Sequence, residues 1–139
     1  MAQGYIDKSG LVPGLVKTFV GNMFKDPFPA YDDPENGFQA AFYSNIFHDW
    51  TLAKCKYLAK KTYDALPLNG VILLHEMILN EDGNGPLVTA CFTFNMFIET
   101  EGKQFTFGEL EELLTEAGFK DIGVIPTYGT FSVVYGRKI

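Results

Sequence analysis

Two apolar runs separated by a stretch of helical spacing constrain this chain more than anything else in it. Residues 38–47 (FQAAFYSNIF) and 71–77 (VILLHEM) are almost free of charge. Runs of that length and composition fit strands buried within a sheet. Between them, Leu52, Cys55, Ala59, Thr62 and Leu66 recur at helical spacing, while Lys54, Lys56, Lys60, Lys61 and Asp64 fall off that face. Pro67, Asn69 and Gly70 then stop the helix. Strand, helix and strand in that order make a parallel pair joined by a crossover.

The remaining segments extend the alternation. Residues 2–8 read as the end of a helix closed near Gly10, and residues 15–20 (LVKTFV) as a strand ending at Gly21. Residues 26–37 carry Pro27, Pro29, Pro34, Asp32 and Asp33 and read as a surface loop. After a polar turn over 80–85, Pro86 suits the first position of a helix over 87–100. Thr106 followed by Glu109 is a capping box for a helix through Ala117, with Gly118 just past its end. Residues 121–126 and 130–136 read as strands. The turn between them, near Tyr128 and Gly129, is too short for anything but an antiparallel pair. The expected fold is α/β: a mostly parallel sheet with a C-terminal antiparallel hairpin strand and helices on the faces. Ligands in such sheets sit at the C-terminal strand ends, which directs attention to residues 21–24, 44–50 and 75–81.

Composition excludes several functions. The chain has 139 residues, 47% hydrophobic and 20% charged, enough apolar material for one folded core. A net charge of −6 argues against nucleic-acid or anionic-membrane partners. No apolar run approaches the ~18 residues of a membrane span, and residues 1–10 lack the pattern of a signal peptide. Two cysteines make no disulfide framework and suit a reducing, cytoplasmic setting. The 13 Phe residues suggest an aromatic pocket, interface or core.

Both histidines fall where strands end. His48 opens His48-Asp49-Trp50, and His75 precedes Glu76. A histidine at a strand end, with a carboxylate from a neighbouring strand fixing its tautomer, makes a general base. The same positions suit core or capping histidines, and Asp49 suits a helix N-cap. His48, Asp49, His75 and Glu76 lack tight metal-ligand spacing, so no metal site is expected. Cys55 and Cys91 lie on apolar helical stripes and read as small buried hydrophobes. In Gly21-Asn22-Met23-Phe24, glycine allows a sharp exit from a strand, Asn22 offers donor and acceptor, and Met23 a polarizable sulfur. An ordinary turn with two core residues fits equally. Phe92, Phe94, Asn95, Met96 and Phe97 give an aromatic, Met-bearing helix for the core, a partner subunit or an aromatic ligand.

The segment Phe42-Tyr-Ser-Asn-Ile-Phe-His-Asp-Trp50, followed by Lys54-Cys55 and Ala65-Leu66-Pro67, resembles the central signature of S-adenosylmethionine-dependent O-methyltransferases of the caffeic acid and polyketide type. Ile72-Leu-Leu-His-Glu-Met77, Gly102-Lys-Gln-Phe-Thr106, Ala117-Gly118-Phe119 and Tyr135-Gly136-Arg137-Lys138 continue the match. Gly21-Asn-Met-Phe24 resembles that family's Gly-Asp-Met-Phe element. The resemblance implies a Rossmann-like fold with His48 as the base that deprotonates an acceptor hydroxyl and Glu76 holding its ring. Gln104 stands where relatives carry a second acid; it accepts a hydrogen bond but cannot stabilise an imidazolium by charge. The cofactor S-adenosyl-L-methionine would meet Gly21, Asn22, Met23 and Ser44. Asn22 replaces the family Asp at the adenine amino group, and Ser44 a frequent Lys. Trp50, Asn95 and Met96 would border a flat aromatic or polyketide-like hydroxylated acceptor.

The resemblance also implies that residues 1–139 are the C-terminal portion of a catalytic domain, lacking the Gly-rich cofactor loop, the ribose-binding acid and the dimerisation domain. Two strands of the family sheet would then be missing, and a central strand would expose its edge. The expectations are weak or absent cofactor binding by the chain alone, and a homodimer or swapped oligomer covering that edge. The alternative is a non-catalytic truncated relative acting as an interaction module. No nucleophile motif supports a small hydrolase.

Overall fold

The computed structural model describes residues 2–11, 16, 18–28 and 37–139. Along the chain come α1 (Ala2–Lys8), β1 (Ala40–Ser44), a 3-10 turn (Phe47–Asp49), α2 (Leu52–Ala65), β2 (Val71–Met77), α3 (Leu87–Glu99), α4 (Phe107–Ala117), β3 (Lys120–Pro126) and β4 (Phe131–Arg137). They build a four-stranded mixed sheet in the order β1-β2-β4-β3. β1 and β2 run parallel, and the C-terminal hairpin adds β4 antiparallel to β2.

The apolar run over 38–47 yields only five residues of strand. Asn45 adopts φ +53, a left-handed conformation that Asn tolerates, and turns the chain into the 3-10 segment. Residues 16 and 18–20 of the expected first strand are not in a strand, and residues 15 and 17 lie outside the described residues. Val20 is fully exposed, and among the described residues no neighbouring strand takes up its backbone groups. Much of the loop over 26–37 likewise lies outside the described residues.

β2 alternates cleanly. Ile72, Leu74 and Glu76 point inward, where α2 and α4 supply Leu58, Ala59, Leu110, Leu113 and Leu114. Val71, Leu73, His75 and Met77 turn to the other face and stay half-buried, so this strand is not sealed on both sides. β1 is an edge strand, and Phe42 on it is 61% exposed. A cleft of about 250 Å3 runs beside β1, lined by Phe28, Phe38, Phe42, Tyr43 and Leu66 among others. The Thr106 capping box forms as read: Thr106 Oγ1 accepts from Glu109 N–H at 3.2 Å and Glu109 Oε2 from Thr106 N–H at 3.1 Å. Gly118 ends α4 at φ +110.

Candidate active site

The parallel register pairs Ser44 with His75, so Glu76 lies one step beyond the last β1 pair, under the 3-10 turn. Glu76 points inward and is 1% exposed. Its Oε1 accepts the Ile46 and Phe47 backbone N–H groups at 3.1 and 3.0 Å. Its Oε2 lies 2.9 Å from His48 Nδ1. One carboxylate therefore caps the turn and orients the ring that the turn carries.

Gln104, fully buried between α3 and α4, brings its side-chain amide to 3.1 Å from the same Nδ1. A ring nitrogen that donates to Glu76 cannot also accept from an amide N–H. Turning the amide over places Oε1, which otherwise has no partner, on the Nδ1 proton. Nδ1 then carries hydrogen and Nε2 presents a lone pair, 3.5 Å from Asp49 Oδ1. Burial lowers the His48 pKa, but the Glu76 carboxylate, assisted by Asp49 and Gln104, outweighs it and holds the ring above the usual imidazole range. The Phe92 ring of α3 lies 5.9 Å from the imidazole.

The turn over 22–26 reaches the same end of the sheet by docking on α2. Tyr57 donates to Phe24 O at 3.0 Å, and Lys61 Nζ to Met23 O and Asp26 O, each at 2.5 Å. Lys61 thus ties α2 to this turn. Phe24 meets the Trp50 indole edge-on at 4.9 Å, and Trp50 Nε1 is buried without a partner among the described residues. Asn22 N–H donates to Asp26 Oδ2 at 2.6 Å, and Asn22 Oδ1 accepts from Phe24 N–H at 2.9 Å. Gly21, Asn22 and Met23 line a cleft of about 290 Å3 together with Phe19 and Phe28.

Ser44 and His75 lie elsewhere. Ser44 Oγ is 2.9 Å from His75 Nδ1, and the His75 ring stacks on Phe131 at 4.8 Å, on the sheet face opposite Glu76. On α3, Met96 is buried and Asn95 exposed. Cys55 donates to Phe47 O at 3.1 Å, and burial, with the Glu76 charge adding to it, pushes its thiol up to about 12, which rules out a thiolate nucleophile. Cys91 is exposed rather than buried. No cluster suited to a metal ion occurs among the described residues. The supports from Cys55, Phe92, Tyr57 and Lys61 carry no sequence signal, since each depends on contacts between distant segments.

Residues 5–120 match the model of the O-methyltransferase domain family. The chain is 39% identical over 118 residues to acetylserotonin O-methyltransferase of Bos taurus, covering 85% of this chain and 32% of that protein. It is 30% identical over 127 residues to 3-hydroxy-5-methyl-1-naphthoate 3-O-methyltransferase of Streptomyces sahachiroi, covering 90% of this chain and 35% of that one. The solved structure of human N-acetylserotonin methyltransferase in complex with SAM superposes with a TM-score of 0.83 at 30% identity, covering 94% of this chain and 36% of that chain. The chain spans about a third of the length of these relatives.

Proposed function

The chain belongs to the O-methyltransferase family, and on that premise we propose that it is the C-terminal part of an S-adenosylmethionine-dependent O-methyltransferase acting on a hydroxyl of a small aromatic or polyketide-like acceptor. The observation that carries the reading is the buried Glu76–His48 pair, with Nδ1 committed to the carboxylate and Nε2 left to take a proton. His48 Nε2 accepts the hydroxyl proton as the oxygen becomes nucleophilic. Glu76 stabilises the imidazolium so formed and keeps the ring in the required tautomer. Gln104 adds a hydrogen bond without charge, so this base is supported by one buried carboxylate. Trp50, Asn95 and Met96 border the acceptor, with Phe92 beside the base. The relative named for a hydroxynaphthoate acts on a flat aromatic bearing a hydroxyl, in keeping with that pocket.

The cofactor, when bound, supplies an electrophilic methyl group on a sulfonium. The residues fit one end of it. The cleft at Gly21, Asn22 and Met23, about 290 Å3, lies just under the ~300–1,000 Å3 of small-molecule sites. Asn22 Oδ1 already serves Phe24 N–H and keeps one lone pair for an adenine amino group, while Met23 offers its thioether to the ring. Both cysteines are free, which suits a cytoplasmic setting.

A second reading rests on the open edge of β1 and on α3, which exposes Leu87, Phe94, Phe97 and Ile98. These surfaces suit a homodimer or swapped oligomer, and without the cofactor half they describe an interaction module. Transfer of labelled methyl from S-adenosylmethionine to a panel of hydroxylated aromatics by the full-length protein, wild type against His48→Ala, separates the two. Loss of at least ~100-fold is expected. Unchanged turnover would remove His48 from the mechanism, and no turnover on any acceptor would favour the module.

A further inference from the structure

The segment between α3 and α4 crosses directly over the main chain that carries His48. At its start, Thr100 N–H and Thr100 Oγ1 both donate to Met96 O, at 2.9 and 2.8 Å, closing α3. Thr100 Oγ1 then accepts from Gly102 N–H at 3.2 Å. Glu101 N–H donates to Asp49 O at 3.2 Å, and the Glu101 carboxylate pairs with Lys54 of α2 at 2.6 Å. Lys54 in turn sits over the Trp50 ring at 4.7 Å. Gly102 has no clearance at all: a Cβ there would lie 2.0 Å from His48 O and 2.7 Å from Trp50 N. Two residues on, Gln104 reaches His48 Nδ1. Past it, Leu79 N–H donates to Phe105 O at 2.9 Å and fixes the far end of the strap beside β2.

We propose that Gly102 is a positioning residue for His48, because only a residue without a side chain lets the 100–104 strap close on the His48–Trp50 main chain and hold Gln104 against the ring. This deepens the reading of His48 as base and rests on it. From one side the turn is held by Glu76 and Cys55, through the N–H groups of Ile46 and Phe47 and the carbonyl of Phe47. From the other it is held by the strap, through Asp49 O and the Gly102 contact. The opposing obstacle is backbone, which cannot swing aside as a flexible side chain would. A methyl group at position 102 therefore lifts the strap, withdraws Gln104, and loosens the seat that keeps Nδ1 on Glu76. The groups facing the ring are Glu76 from β2, Asp49 from its own turn, Gln104 from the strap and the uncharged Phe92 from α3.

The test follows both histidine rings by NMR in wild type and Gly102→Ala. His75, on the opposite sheet face, is the internal control. The expected result is that the His48 titration midpoint falls toward the ordinary imidazole value of ~6.5 while His75 holds its own. A folded Gly102→Ala with an unmoved His48 midpoint overturns the proposal. Should that variant fail to fold, amide exchange in the wild type decides. Glu101 N–H is expected to exchange at least ~10-fold more slowly than in an unstructured chain, and exchange at the unstructured rate overturns the clasp. Methyl transfer that survives His48→Ala, alongside a shifted His48 midpoint in Gly102→Ala, would retain the positioning role and discard the base.

Discussion

Glu76→Gln keeps the size of the side chain and removes its charge, which makes it a sharp probe of the site. Three donors converge on the carboxylate: Ile46 N–H at 3.1 Å, Phe47 N–H at 3.0 Å and His48 Nδ1 at 2.9 Å. A hydrogen bond to a charged acceptor contributes ~1.5–3 kcal/mol and one to a neutral acceptor ~0.5–1.5 kcal/mol. An amide that keeps its oxygen on the two backbone groups loses about 1 kcal/mol at each. Its nitrogen then meets Nδ1 as a second donor. The ring escapes that conflict by moving its proton to Nε2, so that Nδ1 accepts from the amide. The expected cost is about 2–3 kcal/mol of stability, or a Tm lower by roughly 5–10 °C in a chain of this size. Nitrogen-15 shifts of the His48 ring report the tautomer directly: Nδ1–H in the wild type, Nε2–H in the variant. A base with its proton on the wrong nitrogen loses ~10⁴ in turnover in the serine-protease triad, and a loss of that order is expected here. Nε2 remaining unprotonated in a folded Glu76→Gln, or a stability change under about 0.5 kcal/mol, would refute the assignment of these three bonds.

Gln104→Glu places a second carboxylate about 3 Å from Nδ1 in a fully buried position; the His48 midpoint, read by NMR, is expected to rise further, and an unchanged midpoint counts against the contact. Because folding raises the His48 pKa, the protonated ring stabilises the fold below its unfolded value of ~6.5, and that contribution is lost as pH rises through the folded pKa. Urea midpoints of wild type and His48→Gln should therefore differ most at the acidic end, the difference narrowing to a fixed value above the folded pKa, and a difference independent of pH would sink the idea. Calorimetry of the 139-residue chain with S-adenosylmethionine is expected to show no binding tighter than ~1 mM, and a micromolar dissociation constant would contradict the partial fit.

Local signals in the sequence reported the elements that end on strong punctuation. Val71–Met77 follows Gly70, and the helix Phe107–Ala117 is opened by Thr106 with Glu109 and closed by Gly118. Strands whose ends depend on one tolerant residue were less legible: nothing in 38–47 marks Asn45 as the point where the chain turns. The pairing of His48 with Glu76 is invisible to spacing. It arises only when parallel register sets the end of β2 beneath the turn after β1. Period-two alternation separates Glu76 from His75 once the inward face is known. Gly102 carries no sign of its role, because the obstacle it avoids belongs to a segment more than fifty residues away. Cys91 fits an apolar stripe that nothing among the described residues covers.

The two margins of the sheet are not equivalent, and the difference sets a rule for association. The β3 margin is interrupted by a register shift between Lys120 and Gly123, has Asp121 at φ +48, and ends on Pro126, which has no N–H to give. Among the described residues, the β1 margin has none of these guards. Copies joining β1 to β3 would form a head-to-tail chain without limit, and the guarded margin blocks it. Copies joined β1 to β1 would meet about a two-fold axis and run antiparallel, and among the described residues only the guarded β3 margin would then be left for a third copy.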